Sequence, residues 1–178
     1  MPLSIKSTLA GAQGALSIFE LGTIRRSVVE VSTNWLPSVI AINEMRAQID
    51  QVRIKPYRLV AAAHDPRLLA EHLRQYELSI DHVAQARIRY EPLISSAGEK
   101  VAYDEFVGSW SRYEAATDAI KGLVASDKTG EALDALIGKD NLALYDAMSA
   151  ALDRDVKLND SGAQRDANGS VVAARDAT

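Results

Sequence analysis

Apolar residues recur along the first third of the chain in two interleaved rows. Stepping by seven from Leu21 meets Leu21, Val28, Trp35, Ile42 and Ile49; from Ile24 it meets Ile24, Val31, Ser38, Met45, Val52 and Leu59. Such a 3.5-residue repeat describes a seam on one side of a helix, and a strand, which repeats every two residues, cannot produce it. The pattern predicts a first helix of about 60 Å at 1.5 Å per residue. Pro37 and Pro56 each lack a backbone donor and should bend the helix or begin a new segment. The register passes through Pro37 unchanged, so a kink is expected there. Past Pro56 the seam weakens, and His64-Asp65-Pro66 reads as a turn, with Asp65 capping the next helix and Pro66 at its first position.

A second helix carries Leu69, Leu73, Tyr76, Ile80, Val83, Arg87, Tyr90 and Ile94, and Ser95-Ser96-Ala97-Gly98 should close it, with Gly98 supplying the turn. A third carries Tyr103, Phe106, Trp110, Tyr113, Thr117, Ile120 and Val124 and ends near Ser126–Gly130. The fourth starts around Glu131 and carries Leu133, Leu136, Ile137, Leu144, Met148, Ala151, Leu152 and Leu158. Beyond Leu158 the chain turns polar and Ala-rich, and Gly162 and Gly169 weaken any helix, so the tail either frays or is helix lacking its continuation. Four amphipathic helices joined by short turns predict an all-α fold, a long antiparallel up-down-up-down four-helix bundle.

Composition agrees: 47% of residues are apolar, only 6% aromatic and only five are Pro. Net charge of −4 and no Lys/Arg run argue against nucleic acid. The absence of Cys removes disulfides, thiolate catalysis and Cys-based zinc sites. Nothing approaches the roughly 20 apolar residues of a membrane span, and the opening 22 residues are too polar for a signal peptide. His64, His72 and His82 do not form Glu-x-x-His pairs, since Glu71 and Asp81 directly precede His72 and His82 and so lie on other helix faces. No phosphate-binding or catalytic motif is present. The expectation is a sensing or interaction domain, not an enzyme, with no metal and no cofactor.

Asn34-Trp35-Leu36-Pro37-Ser38-Val39, followed by a heptad helix with Asn43-Glu44, Arg46 and Arg53, resembles the periplasmic four-helix-bundle sensor domain of bacterial methyl-accepting chemotaxis receptors. Gly130-Glu131-Ala132-Leu133 and Leu158-Asn159 add to the match, and Leu3–Leu9 looks like the cytoplasmic leader before a first membrane span. The resemblance covers about residues 16–175. It implies two flanking spans, whereas Ala10–Leu16 is too short and small for one. Residues 1–17 are therefore expected to be a leader remnant or trimmed membrane-proximal segment, and residues 18–175 the sensor bundle. By resemblance the parent is an inner-membrane receptor, probed from the periplasm, that homodimerises and clamps a small-molecule carboxylate with arginines near the far end of the first helix.

Arg53 and Arg58, five apart, are similar to the arginine pair of aspartate-type receptors, with Arg46 one heptad earlier; a third arginine would fall at Ala62 and is missing. Guanidinium pairs with carboxylate through two charge-assisted hydrogen bonds, whereas an exposed arginine makes only weak surface pairs. Arg87 falls on the apolar row of the second helix, so it either anchors a ligand or snorkels outward. The row Tyr103, Phe106, Trp110 and Tyr113 either packs the core or lines a pocket, and Tyr145 could donate its hydroxyl to a ligand. The candidate ligand-binding residues are Arg46, Arg53, Arg58, Arg87 and Tyr145. Two other readings compete with a chemoreceptor: the sensor of a transmembrane histidine kinase, and a ligand-free structural or adapter bundle.

Overall fold

The computed structural model describes Ile18 and residues 21–176, of which 173–176 are described as backbone only. All regular structure among the described residues is helical. A helical run over residues 21–30 (α1) passes through a π turn at Val31–Trp35 into α2 (Leu36–Ala61); then come α3 (Pro66–Tyr90), a 3₁₀ turn at Glu91–Leu93, α4 (Ala97–Ala125), α5 (Thr129–Ile137) and α6 (Lys139–Asp176). The described residues fall into two compact units: Ser38–Leu158, and those before Ser38 with those after Leu158.

In the Ser38–Leu158 unit the helices form the antiparallel four-helix bundle that the periodicity predicts. Arg89 pairs with Glu44, and the Lys55 ammonium donates to the Gln75 carbonyl at 2.7 Å, so numbers rise along α2 as they fall along α3. Arg46 pairs with Asp153 and Tyr145 with Asp50, which sets α6 antiparallel to α2. Arg154 pairs with Glu105, and Tyr90 meets Tyr103 edge-on at 5.5 Å, so α4 is antiparallel to both α6 and α3. The predicted seam is the core: Ile42, Met45, Ile49, Val52 and Leu59 are at most 1% exposed. Every residue of the predicted third-helix row, from Tyr103 to Val124, is buried. Its rings make a ladder, with Tyr103, Phe106, Trp110 and Tyr113 spaced 6.0–6.4 Å apart. That is core packing, and aromatic pairs add about 0.5–1.5 kcal/mol each beyond burial. A second apolar cluster gathers Ile120, Val124, Ala132 and Leu136 with Val60 and Leu69.

Helix ends follow local chemistry. Asp65 Oδ1 accepts the amides of Arg67 (3.0 Å) and Leu68 (3.1 Å), with Pro66 first in α3, as expected. The start of α4 departs from expectation. Gly98 makes no turn: α3 ends at Tyr90, and Ser96 caps α4, in which Gly98 is already helical. Ser96 Oγ accepts the Glu99 amide, while Glu99 Oε2 accepts the amides of Ser95 and Ser96 and the Ser95 hydroxyl. This reciprocal capping satisfies donors a glycine turn would leave to solvent.

The predicted fourth helix is also corrected. It breaks at Gly138, whose backbone is extended (φ −61°, ψ 149°), into α5 and α6. A Cβ there would lie 3.1 Å from the Asp134 carbonyl oxygen and 3.3 Å from that of Ala135, so the tight joint favours glycine. With α5 in its own register, Leu133 and Ile137 are exposed rather than buried.

In the other unit, helical bonding passes through Pro37, and the irregularity lies one turn earlier. Pro37 cannot donate and its ring crowds the carbonyl four residues back. The chain widens there instead, and the Leu36 amide bonds the Val31 carbonyl, the π spacing. Leu21 and Val28, on the predicted seam, are exposed in α1. The polar tail does not fray, since α6 continues to Asp176. Trp35 lies on Gly162 and donates its indole N–H to Asp166 Oδ2 at 2.7 Å. The Leu3–Leu9 leader and the 1–17 segment fall outside the described residues. No described helix is long and apolar enough to cross a membrane.

Candidate functional site

The Gly138 joint opens a cleft of about 120 Å³ in the bundle unit, between its two apolar clusters. Arg53 and Tyr57 reach it from α2, Tyr113 from α4, Leu136 and Ile137 from the end of α5, and Asn141, Leu142 and Tyr145 from the start of α6. Arg53 is half-buried. Its guanidinium lies over the Tyr145 ring, 4.1 Å from the centroid. Tyr145 in turn donates its hydroxyl to Asp50 at 2.6 Å. The stack holds the guanidinium plane and leaves its N–H edge for an acceptor. Among the described residues, no carboxylate lies within ion-pair distance of Arg53.

Two of the lining residues also carry polar atoms that the protein encloses. The Tyr113 hydroxyl is buried beside the Thr117 side chain. Burial pushes its pKa up to about 12, with the nearby Arg53 charge acting the other way, so the phenol stays protonated and can donate. Asn141 donates Nδ2–H to the Leu136 carbonyl at 2.9 Å, which satisfies the end of α5 and fixes the amide's orientation. Its Oδ1 is buried with no donor among the described residues. A buried polar atom without a partner costs about 1–3 kcal/mol. The cleft therefore offers a half-buried cation, Arg53, among aromatic and apolar walls. It has no nucleophile–base pair.

Residues 3–173 match a family described as a four helix bundle sensory module for signal transduction. The chain belongs to this family. No match is found among curated proteins. The sensory module is a signalling element rather than a catalytic one.

Within the module, the five predicted site residues separate. Arg53 and Tyr145 meet in the cleft. Arg46 lies two turns earlier on the same face of α2 and pairs with Asp153. Arg58, five residues after Arg53, is rotated about 140° around the helix; it is exposed in the last turn of α2, outside the cleft lining. Lys55, whose pKa is lowered by burial and then by Arg58, is held on α3 by Gln75 and Ser79. Arg87 snorkels along the bundle: its Nε–H donates to the Tyr103 hydroxyl at 3.0 Å and its guanidinium is 3.6 Å from Glu91. Asn141 and Tyr57 were not singled out by the sequence, whereas Tyr113 belonged to the aromatic row read as either core packing or pocket lining; the row packs the core, and Tyr113 also lines the cleft. Ile137-Gly138-Lys139-Asp140-Asn141 does hold a signal, a Gly followed by Asp and Asn, which marks a break rather than continuous helix.

Proposed function

We propose that this sensory module is the extracytoplasmic ligand-binding domain of a chemotaxis receptor, sensing a small organic anion in the Arg53 cleft. The observation that carries the reading is Arg53 itself, stacked and oriented by Tyr145 yet without a carboxylate partner among the described residues. A ligand carboxylate would take the guanidinium edge. Because α5 and α6 meet at the cleft, an occupant that touches both would bias their joint, and a shift of α6 is the signal passed toward the membrane. The periplasm is the compartment proposed for the module, in a parent anchored in the inner membrane. A second copy is the proposed partner, and Ile40 and Ile54, exposed two heptads apart on α2, suit such contact.

The test is a thermal-shift panel of amino acids, dicarboxylates and aromatic acids on the intact chain. A ligand at 100 times its Kd adds about 2.7 kcal/mol, or roughly 5–10 °C for a chain of this size. The shift should vanish in Arg53→Ala. A hit that survives Arg53→Ala removes the assignment, and no hit across the panel removes the anion-sensor reading.

A further inference from the structure

We infer that a pH-sensitive latch holds α6 against the connection between α3 and α4, with Asp155 as its proton-binding group. The latch lies within the bundle unit, about 15 Å along α6 from Tyr145 and the cleft. Asp155 on α6 and Glu99 in the first turn of α4 are both fully enclosed. Tyr90, the last residue of α3, donates its hydroxyl to Asp155 Oδ1 at 2.7 Å. Leu158, one turn further along α6, rests on Gly98, where a Cβ would lie 3.4 Å from both of its methyl carbons. The same stretch of α6 is thus tied to the end of α3 by a hydrogen bond and to the start of α4 by packing.

The tie depends on the proton. An enclosed carboxylate charge is costly, and a second one nearby adds repulsion. Glu99 cannot retreat, because its Oε2 accepts the Ser95 and Ser96 amides that start α4. Charged groups on the surrounding helices are engaged elsewhere. On α3, Arg87 turns to Glu91 and Arg89 to Glu44. On α2, Arg46 takes Asp153; on α4, Lys100 takes Asp104. On α6 itself Arg154 takes Glu105, and Lys157 is exposed. Burial first, then Glu99, raise the pKa of Asp155 to about 6, against the Tyr90 hydroxyl, which favours the anion. Below that pH Asp155 is neutral and α6 stays closed. Above it the closed arrangement holds two enclosed negative charges, whereas opening lets Asp155 ionise in water. Opening therefore gains as pH rises from about 4 to 6 and then levels off. The module thus answers acidity through α6 with no ligand in the cleft.

The experiment is hydrogen exchange of the intact chain, without ligand, at pH 5 and pH 7, each corrected for the intrinsic exchange rate. With Asp155 at about 6 when closed and at the ordinary 3.8 when open, opening grows about tenfold between these pH values. Amides of residues 150–158 should exchange faster by that factor at pH 7, and faster than those of residues 106–113. Asp155→Asn is neutral at both pH values and keeps an acceptor for Tyr90, so its ratio should fall to about one. A ¹³C titration of the Asp155 carboxyl in the wild type carries the test if Asp155→Asn does not fold, with a midpoint near 6 expected. Equal corrected rates at the two pH values in the wild type overturn the latch, as does a carboxyl midpoint at the ordinary value of about 4. A tenfold ratio that persists in Asp155→Asn overturns the role of Asp155. Rates at residues 150–158 no faster than at residues 106–113 would make the opening global unfolding, which also overturns it. No ligand is added, so none of these outcomes bears on the anion reading.

Discussion

Gly162→Ala sets two well-known effects against each other. In a helix interior, Ala is favoured over Gly by about 1 kcal/mol, so the substitution ought to stabilise α6. At residue 162 the added Cβ would lie 2.5, 2.6 and 2.7 Å from three carbons of the Trp35 ring. Ordinary carbon contacts are about 3.5–4.0 Å, so the rigid indole must retreat by roughly 1 Å. That movement strains the 2.7 Å hydrogen bond from the indole to Asp166. Overpacking of this kind costs about 1–3 kcal/mol and the weakened hydrogen bond about 1 more, against the 1 gained from propensity. The net expectation is destabilisation by about 1–3 kcal/mol. Gly169→Ala is the control in the same helix: nothing lies within 4 Å of its Cβ, and it should stabilise by about 0.5–1 kcal/mol. Hydrogen exchange reads the effect locally. Amides of residues 31–36 and 159–168 should exchange about 5- to 150-fold faster in Gly162→Ala and no faster in Gly169→Ala. Unchanged or slower exchange in Gly162→Ala would refute the claim that Trp35 needs glycine beneath it.

Other consequences are more compact. Burial, and to a smaller degree Glu99, raise the pKa of Asp155 to about 6, although the Tyr90 hydroxyl donates to it. The native state therefore holds this proton at pH values where the unfolded chain has released it, and its contribution to stability falls as pH rises from about 4 to 6, by up to about 3 kcal/mol. Asp155→Asn should remove that part of the slope; urea midpoints at pH 4.5 and 7 that change as much in the variant as in the wild type would contradict it. Phe106→Ala, at the centre of the ring ladder and fully buried, should cost about 3–5 kcal/mol by urea denaturation. Arg46→Ala breaks only a substantially exposed pair with Asp153, so it should cost under about 1 kcal/mol and leave ligand affinity within twofold by calorimetry.

The bundle was legible because burial against three neighbours imposes a period on each helix. Ile42, Met45, Ile49 and Val52 follow the heptad and are buried, and the row from Tyr103 to Val124 is buried at every position. The first-turn chemistry of Asp65-Pro66 was legible for the same reason, since an N-cap depends on a few consecutive residues. Elsewhere the sequence pointed the wrong way, because the deciding neighbour lies far along the chain. Gly162 reads as a helix breaker until Trp35, more than a hundred residues earlier, is seen to occupy the space a Cβ would fill. Gly98 reads as a turn, but the reciprocal bonds of Ser96 and Glu99 start the helix ahead of it. The cleft was half visible. Arg53 and Tyr145 carry distinctive chemistry, whereas Asn141 acquires its place from the Gly138 joint and Tyr113 from the end of the ring ladder that borders the cleft. Arg58, paired with Arg53 by resemblance, lies on a different face of α2, since five residues turn a helix by about 140°.

The central claim is that a small carboxylate sits against Arg53 inside the bundle unit. Its most direct test is an NMR titration of the ¹⁵N-labelled chain with the carboxylate giving the largest thermal shift, following the Arg53 Nε–H, the Asn141 side-chain amide and the Gly138 backbone amide. The account predicts saturable shifts concentrated on these three and on Tyr113, with Arg46, Arg58 and Arg87 nearly unmoved. Saturable shifts centred on Arg46, Arg58 or Arg87, with Arg53 and Asn141 silent, would contradict it.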